Sequence, residues 1–250
     1  MLTGFLLINK PAGRTSFSCV SFVKRVVGKG IRVGHAGTLD RFATGLLIIG
    51  IGRSATKHLG LLLNLSKTYI GTGKLGDQTD TLDPYGQVIK TSTALINQTT
   101  LEQALASFGT GYLQVPPVYS ALKFAGQRLS DLHRSSQDLT DLRAQAHNLD
   151  VHQIARDKSR FINLYDLELQ EFNNDLFKLR AHVSSGTYIR VLINDIAIRS
   201  GSCATTIALC RTKIGPFDLA QALDLEDLDL AKINQNMISV SDLQLNIQNN

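Results

Sequence analysis

The sequence has no long apolar run. The longest, Phe5 to Ile8, Leu46 to Ile51 and Leu59 to Leu63, fall far short of the roughly 18 residues that a membrane-spanning helix requires. Cysteine is scarce as well. Cys19, Cys203 and Cys210 are odd in number and form neither C-x-x-C nor any Cys/His ligand spacing, which argues against structural zinc and for free thiols in a reducing, cytoplasmic compartment. Met1-Leu2-Thr3-Gly4-Phe5 lacks the basic region and small-residue cleavage site of a secretory signal, so the first residues read as part of the fold. No period of roughly 20 to 50 residues repeats, which excludes solenoids. What is present is a chain of 250 residues, 43% hydrophobic and 19% charged. That length supports one large core or two modest ones, and the composition excludes disorder, collagen and coiled coil.

The 26 Lys and Arg outnumber the 21 Asp and Glu, for a formal charge of +5. Lys24, Arg25, Lys29, Arg32, Arg41, Arg53, Lys57, Lys67 and Lys74 crowd the first third, whereas Leu223 to Asp229 is acidic. Clustered cations suit a polyanionic partner, because phosphates reward clustered basic charge.

Gly4 to Lys10 runs into a Pro-Ala-Gly turn and predicts a short buried strand. Thr15-Ser16 offers an N-cap for a helix over Phe17 to Val27, which Gly28-Lys29-Gly30 ends. Val33 to Asp40 reads as a loop, Gly45 to Ile51 as a buried strand and Ser54 to Leu65 as a helix. Lys67 to Leu75 alternates as a strand does, and Gly76 to Gly86 is turn chemistry before a strand at Gln87 to Lys90. A loop of that length is usually functional or mobile. Thr99 to Glu102 has the capping-box pattern for a helix through Phe108, Gln114 to Tyr119 is extended by its prolines, and Gln127 to Asn148 reads as polar helix and loop. Asp166 to Phe172 and Leu176 to Val183 predict a hairpin turned by Asn173-Asn174-Asp175, and Tyr188 to Ser200 a helix. Leu223 to Ile233 is expected to be helical, and Gln244 to Asn250 a frayed tail. Strands and helices intermix without regular alternation. The expected fold is α+β, with a mixed, largely antiparallel central sheet flanked by helices.

The densest set of special residues is Gly34-His35-Ala36-Gly37-Thr38-Leu39-Asp40-Arg41-Phe42-Ala43-Thr44-Gly45. Glycines framing a His and an Asp suit a loop that must present a carboxylate to a bulky ligand. A tight turn in which Asp40 caps its own backbone has the same composition. Together with Asn9-Lys10-Pro11-Ala12-Gly13-Arg14-Thr15-Ser16, the loop resembles the signature of the TruB family, the tRNA pseudouridine-55 synthases. The resemblance continues in order through Lys67-Thr68-Tyr69, Leu75 to Thr81, Val115 to Lys123, Ser185 to Arg190 and Arg211 to Phe217. Seven blocks in family order cover nearly the whole chain.

The resemblance implies the pseudouridine synthase fold and an isomerisation of uridine in the T-loop of tRNA, with no cofactor and no metal. The N-glycosidic bond breaks, uracil rotates, and C5 joins the ribose C1′. It places the essential aspartate at Asp40, its arginine partner at Arg190 and the active-site tyrosine, which stacks on the base, at Tyr69. His35 takes the position of the histidine that fills the space of the flipped base. Lys10, Tyr188 and Leu209 would line the pocket, and Arg41 and Arg211 would contact RNA. A carboxylate suits the opening step because it can attack the sugar or stabilise a cationic one. A charge buried for that purpose needs a cationic partner. The expected arrangement is a monomeric catalytic domain over residues 1–225 with an RNA-gripping insertion at about 124–150. Residues 226–250 would form a short helix and tail, too few for the C-terminal PUA-type domain common in the family.

Three departures from the family pattern stand out. Arg41-Phe42 replaces the usual Pro-Leu, and Ser184-Ser185-Gly186 replaces Ser-Lys-Gly. The insertion carries Leu129-Ser130-Asp131 and Ala146-His147-Asn148 where the family shows a Gly-x-x-Leu-Tyr pattern and a basic strand start. A second reading from another class is an RNA chaperone that refolds the tRNA elbow. The intact Asp40, Tyr69 and Arg190 favour the enzyme, and the Ala36 to Asp40 form of the loop favours a stand-alone enzyme over a guide-dependent relative.

Overall fold

The computed structural model describes residues 2–120 and 150–248, together with the backbone of 123–124 and 127–128. The expected insertion otherwise lies outside the described residues. In chain order the first half comprises β1 (Gly4–Lys10), α1 (Ser16–Val27), β2 (Val33–Ala36), β3 (Thr44–Ile51), α2 (Gly52–Leu63), β4 (Lys67–Leu75), β5 (Asp77–Thr79), β6 (Val88–Thr91), α3 (Gln98–Ala106) and β7 (Gly111–Gln114). After the short pair β8 (Lys123–Phe124) and β9 (Gln127–Arg128) come α4 (Val151–Asp157), β10 (Arg160–Asn173), β11 (Leu176–Val183), α5 (Ile189–Arg199), β12 (Ala204–Ile214), β13 (Phe217–Asp218), β14 (Leu223–Asp224), α6 (Leu230–Asn236) and α7 (Val240–Gln248).

A ten-stranded sheet organises the described residues, in the order β14-β1-β3-β12-β4-β11-β10-β7, with β2 added on β3 and β13 on β12. Two of its pairings, β1 with β14 and β3 with β12, are parallel, and the others are antiparallel. The burial of each strand explains its sequence. β1 and β3 are covered on both faces: one packs on α1 and α6 through Leu6, Ile8, Leu47 and Ile49, the other on α2 and α7 through Phe5, Leu7, Leu46 and Ile48. A strand buried on both faces is apolar throughout. β11 is covered on one face only. Phe177, Leu179, Ala181 and Val183 join Leu192, Ile193 and Ile196 of α5 in the largest core, while the residues between them are partly exposed, so this strand alternates.

Several expectations are corrected. Val33 to Ala36 is strand, paired with β3, because a glycine-rich stretch can still complete a ladder when its partner is fully buried. The 76–86 loop begins with β5, which pairs with β6 as a separate ribbon. Helix α3 is capped by Asn97, whose side chain accepts from Thr100 N at 2.9 Å. Thr99 lies inside the helix. The expected helix over Leu223 to Ile233 is broken: Leu223 and Asp224 pair in parallel with Ile8 and Asn9, and Asp229 caps a separate α6. The expected tail is helical as far as Gln248, with Leu243 fully buried beside Phe5 and Leu62. β12, for which no pattern stood out, is the strand that joins the two halves of the sheet.

Candidate active site

Residues 37–43 connect β2 to β3, and the 9–16 block holds this loop in place. Ser16 Oγ donates to Leu39 O at 3.3 Å and accepts from Leu39 N at 2.9 Å. Lys10 is fully buried, and its Nζ donates to Pro11 O at 2.9 Å, Arg14 O at 2.7 Å and Arg41 O at 3.5 Å. Gly13 and Arg41 close the clamp, Gly13 N donating to Arg41 O at 2.8 Å and Arg41 Nε to Gly13 O at 2.9 Å. From the other side Arg211 of β12, also buried, donates to Leu46 O at 2.8 Å and Gly37 O at 3.0 Å. Gly37 has φ +75°, and a Cβ there would stand 3.3 Å from the Arg211 guanidinium. Leu39 and Ala43 anchor the loop in the largest core, leaving Asp40 between them partly exposed.

Asp40 meets Arg190, the second residue of α5. Arg190 Nε donates to Asp40 Oδ2 at 2.8 Å and Nη2 to Oδ1 at 3.3 Å, a two-pronged grip that aims the carboxylate. The arginine side chain is only 5% exposed against 38% for Asp40. Its remaining donors reach Thr81 O, Tyr119 O at 3.2 Å and a second carboxylate, Asp83 Oδ2, at 3.6 Å. Asp83 is in turn held by Thr81 Oγ1 at 2.7 Å and Tyr85 N at 3.0 Å, both on Oδ1. Tyr69 of β4 is buried in the core that holds Leu39, Ile189 and Leu209. Asp40, Tyr69, Tyr188, Arg190, Leu209 and Arg211 all line one cleft of about 600 Å³. Its volume and mixed lining suit a nucleoside-sized ligand.

Three expected site residues lie outside that lining. Lys10 is a post of the loop, as described, and Arg41 stands exposed with its guanidinium 5.9 Å from the Tyr85 ring. His35 sits in β2 opposite Ile49, its Nδ1 buried without a hydrogen-bond partner. Burial, and then the nearby Arg211, push the His35 pKa below its ordinary value, so the ring is neutral at pH 7. Leu209 is buried, and its carbonyl accepts from Thr44 Oγ1 at 3.4 Å. Tyr188, at the N-cap of α5, has the Arg160 guanidinium 5.0 Å from its ring centre.

Sequence reasoning missed Asp83, Lys67 and Arg160. Asp83 hid among three aspartates of a turn-rich stretch, and only the fold shows that it faces Arg190. Lys67 is buried at the cleft wall, donating to the end of α2 at Leu63 O and Leu65 O, both 2.6 Å; burial and Arg211 push its pKa down to about 8. In the sequence Lys67 stood out only as one of the clustered cations and as the first residue of the Lys67-Thr68-Tyr69 block, with no role of its own. Among the described residues, no group of three or more His, Cys, Asp or Glu side chains is placed to hold a metal. No described helix is long and apolar enough to cross a membrane.

Comparison with known proteins gives this geometry its context. The chain superimposes on the structure of an H/ACA ribonucleoprotein bound to a substrate RNA containing 2′-deoxyuridine, with a TM-score of 0.63 at 22% identity, over 90% of this chain and 52% of that one. It superimposes on a Cbf5–Nop10–Gar1 complex with a TM-score of 0.65 at 25% identity, over 90% and 53%. The chain thus spans about half the length of these solved chains. Residues 24–189 match the model of the TruB family pseudouridylate synthase N-terminal domain. The tRNA pseudouridine synthases B of Francisella philomiragia and Francisella tularensis are each 39% identical over 245 residues, covering 97% of this chain and 75% of theirs. The family match and these named relatives, together with this fold, define the class: an RNA pseudouridine synthase, an isomerase. The chain belongs to the TruB family, and its chemistry is pseudouridine formation in tRNA.

Proposed function

We propose that this protein isomerises uridine 55 in the T-loop of tRNA, and that Asp40 carries the reaction. The observation that supports this most directly is the carboxylate of Asp40, partly open to the cleft and gripped on both oxygens by the buried Arg190. In this reading the uridine leaves its stack, as it must before any group can reach its glycosidic bond. Asp40 acts on the ribose as the N1–C1′ bond breaks; uracil turns, the C5–C1′ bond forms, C5 gives up its proton and N1 gains one. Tyr69, on the cleft wall, offers a ring face for the base and a hydroxyl for the late proton transfer. The neutral imidazole of His35 fills the place the base vacates, offering stacking and hydrogen bonds. Arg41 is exposed for the RNA backbone, whereas Lys10 and Arg211, both committed to carbonyls, serve the reaction by holding the Asp40 loop.

Asp40→Asn tests this. Product at position 55 of an unmodified tRNA, read by chemical labelling and primer extension without added metal or nucleotide, should vanish. Binding should hold within about tenfold, because the site keeps its shape and its phosphate contacts. Turnover by Asp40→Asn would overturn the assignment. Intact turnover at another uridine would overturn the position.

A further inference from the structure

Tyr188 stands at the N-cap of α5, and its side chain makes no capping hydrogen bond. An aromatic ring cannot fold back onto the first turn as Ser or Asp does. The polar contacts come instead from a different element. Gln114, the last residue of β7 and 1% exposed, accepts from Tyr188 N through Oε1 at 2.8 Å and donates through Nε2 to Tyr188 O at 3.1 Å. Its other Nε2 proton goes to Tyr112 Oη at 2.8 Å, and Tyr112 Oη donates to Asp195 Oδ2 at 2.7 Å. Asp195 belongs to α5 itself. A bracket therefore runs from the N-cap of α5 across β7 and back to the second turn of the same helix, and Arg199 of the last turn stacks over Phe108 and Tyr112. A buried carboxamide is costly unless its bonds are made, and here both N–H groups and the oxygen are used on parts that set where α5 begins.

We propose that Gln114 is a positioning residue for the isomerisation: it fixes the backbone of Tyr188, and through it the Arg190 guanidinium, two residues on, that aims Asp40. This rests on the reading of Asp40 given above. Displacing the start of α5 by an ångström moves the guanidinium off the carboxylate, and misplacement of that size costs on the order of 100-fold in rate. Substrate binding is spread over the whole cleft and is little affected.

The decisive variant is Gln114→Glu. As a neutral acid its single O–H donates to Tyr188 O in place of one of the two Nε2 protons, the bond to Tyr112 Oη being given up, while the other oxygen still accepts from Tyr188 N; ionised, it has no donor and faces Tyr188 O and the Asp195–Tyr112 pair. The ionisable groups around it are Tyr112 on β7, Asp195 and Arg199 on α5, Arg160 on β10, and Tyr188. Burial raises a carboxyl at such a place, so ionisation falls within the working range. Single-turnover rates with excess tRNA, taken relative to wild type, should be about 10- to 100-fold down at pH 8 and recover to within about threefold at pH 6, with KM for tRNA nearly unchanged. Gln114→Ala should lose rate at both pH values; where it does not fold, the Glu variant carries the test. A folded Gln114→Glu that matches wild type at both pH values, stays inactive at both, or is altered only in KM overturns the proposal. Asp40→Asn assayed alongside separates the two claims. If it is active, the reading of Asp40 fails; if it is inactive while Gln114→Glu ignores pH, only the bracket fails.

Discussion

Among the described residues Arg190 is the most heavily committed side chain, with its donors spread over two carboxylates and two carbonyls. That sharing explains why Asp40→Asn should leave a folded protein: Asp83, Thr81 and Tyr119 still hold the guanidinium, so no buried charge is stranded. His35 makes a separate prediction from pH. Its folded pKa lies below the unfolded value near 6.5, so the unfolded state binds more protons as pH falls through that value, and the stability His35 contributes is present above it and lost below. Thermal melts should show Tm falling more steeply between about pH 6.5 and 5.5 in wild type than in His35→Gln; parallel curves would contradict this. Gly45 accounts for the last position of the glycine-framed loop. It has φ +103°, and a Cβ would lie 2.4 Å from Arg211 O and 2.7 Å from Arg211 N. Gly45→Ala should cost at least about 2 kcal/mol in denaturant melts, by forcing β12 away from β3.

At the scale of elements, local chemistry was legible where it acted locally. Thr15 caps α1, accepting from Ser18 N at 3.0 Å, and the Asn173 to Asp175 turn reverses β10 into β11 with Asn174 at φ 55°. The capping of α3 was misread by two residues, because Thr99 and Glu102 fit the capping-box spacing while Asn97 supplies the bond. The two assignments differ in outcome: Asn97→Ala should cost about 1 kcal/mol and Thr99→Ala a few tenths. Equal losses in urea melts would restore the original assignment. α5 shows the limit of this kind of reading. Its apolar spacing announces a helix, yet Gln114, 74 positions away from Tyr188, secures its start.

The whole molecule decides where the charges go. Of the nine clustered cations from Lys24 to Lys74, all but Lys67 are exposed; Lys67 is spent on the end of α2, as the buried Lys10 before them is on the Asp40 loop. Exposed clustered cations bind phosphates by releasing counterions, so tRNA affinity should fall by on the order of tenfold or more between 50 and 200 mM salt. A flat response in a filter-binding or fluorescence titration would mean that this surface is merely solvated. The same global view relocates the chain's end: Ile233 and Leu243 are fully buried beside β1, and Ile238 bridges Phe5, so residues 226–248 complete the two cores around the first strand.

By itself the sequence determined the family, through motif blocks in order, and the strands and helices whose patterning reflects their own burial. It also named Asp40, Tyr69 and Arg190, since these lie inside motifs. The resemblance had already paired Arg190 with Asp40; only the tertiary structure gave that pair its two-pronged geometry across 150 positions, set Asp83 against it and turned Lys10 inward as the post of the loop. The reason is physical. A strand's or helix's periodicity records which face is buried, but not which distant side chain lies opposite; that depends on sheet order and register, which β12 fixes by lying parallel to β3 and antiparallel to β4.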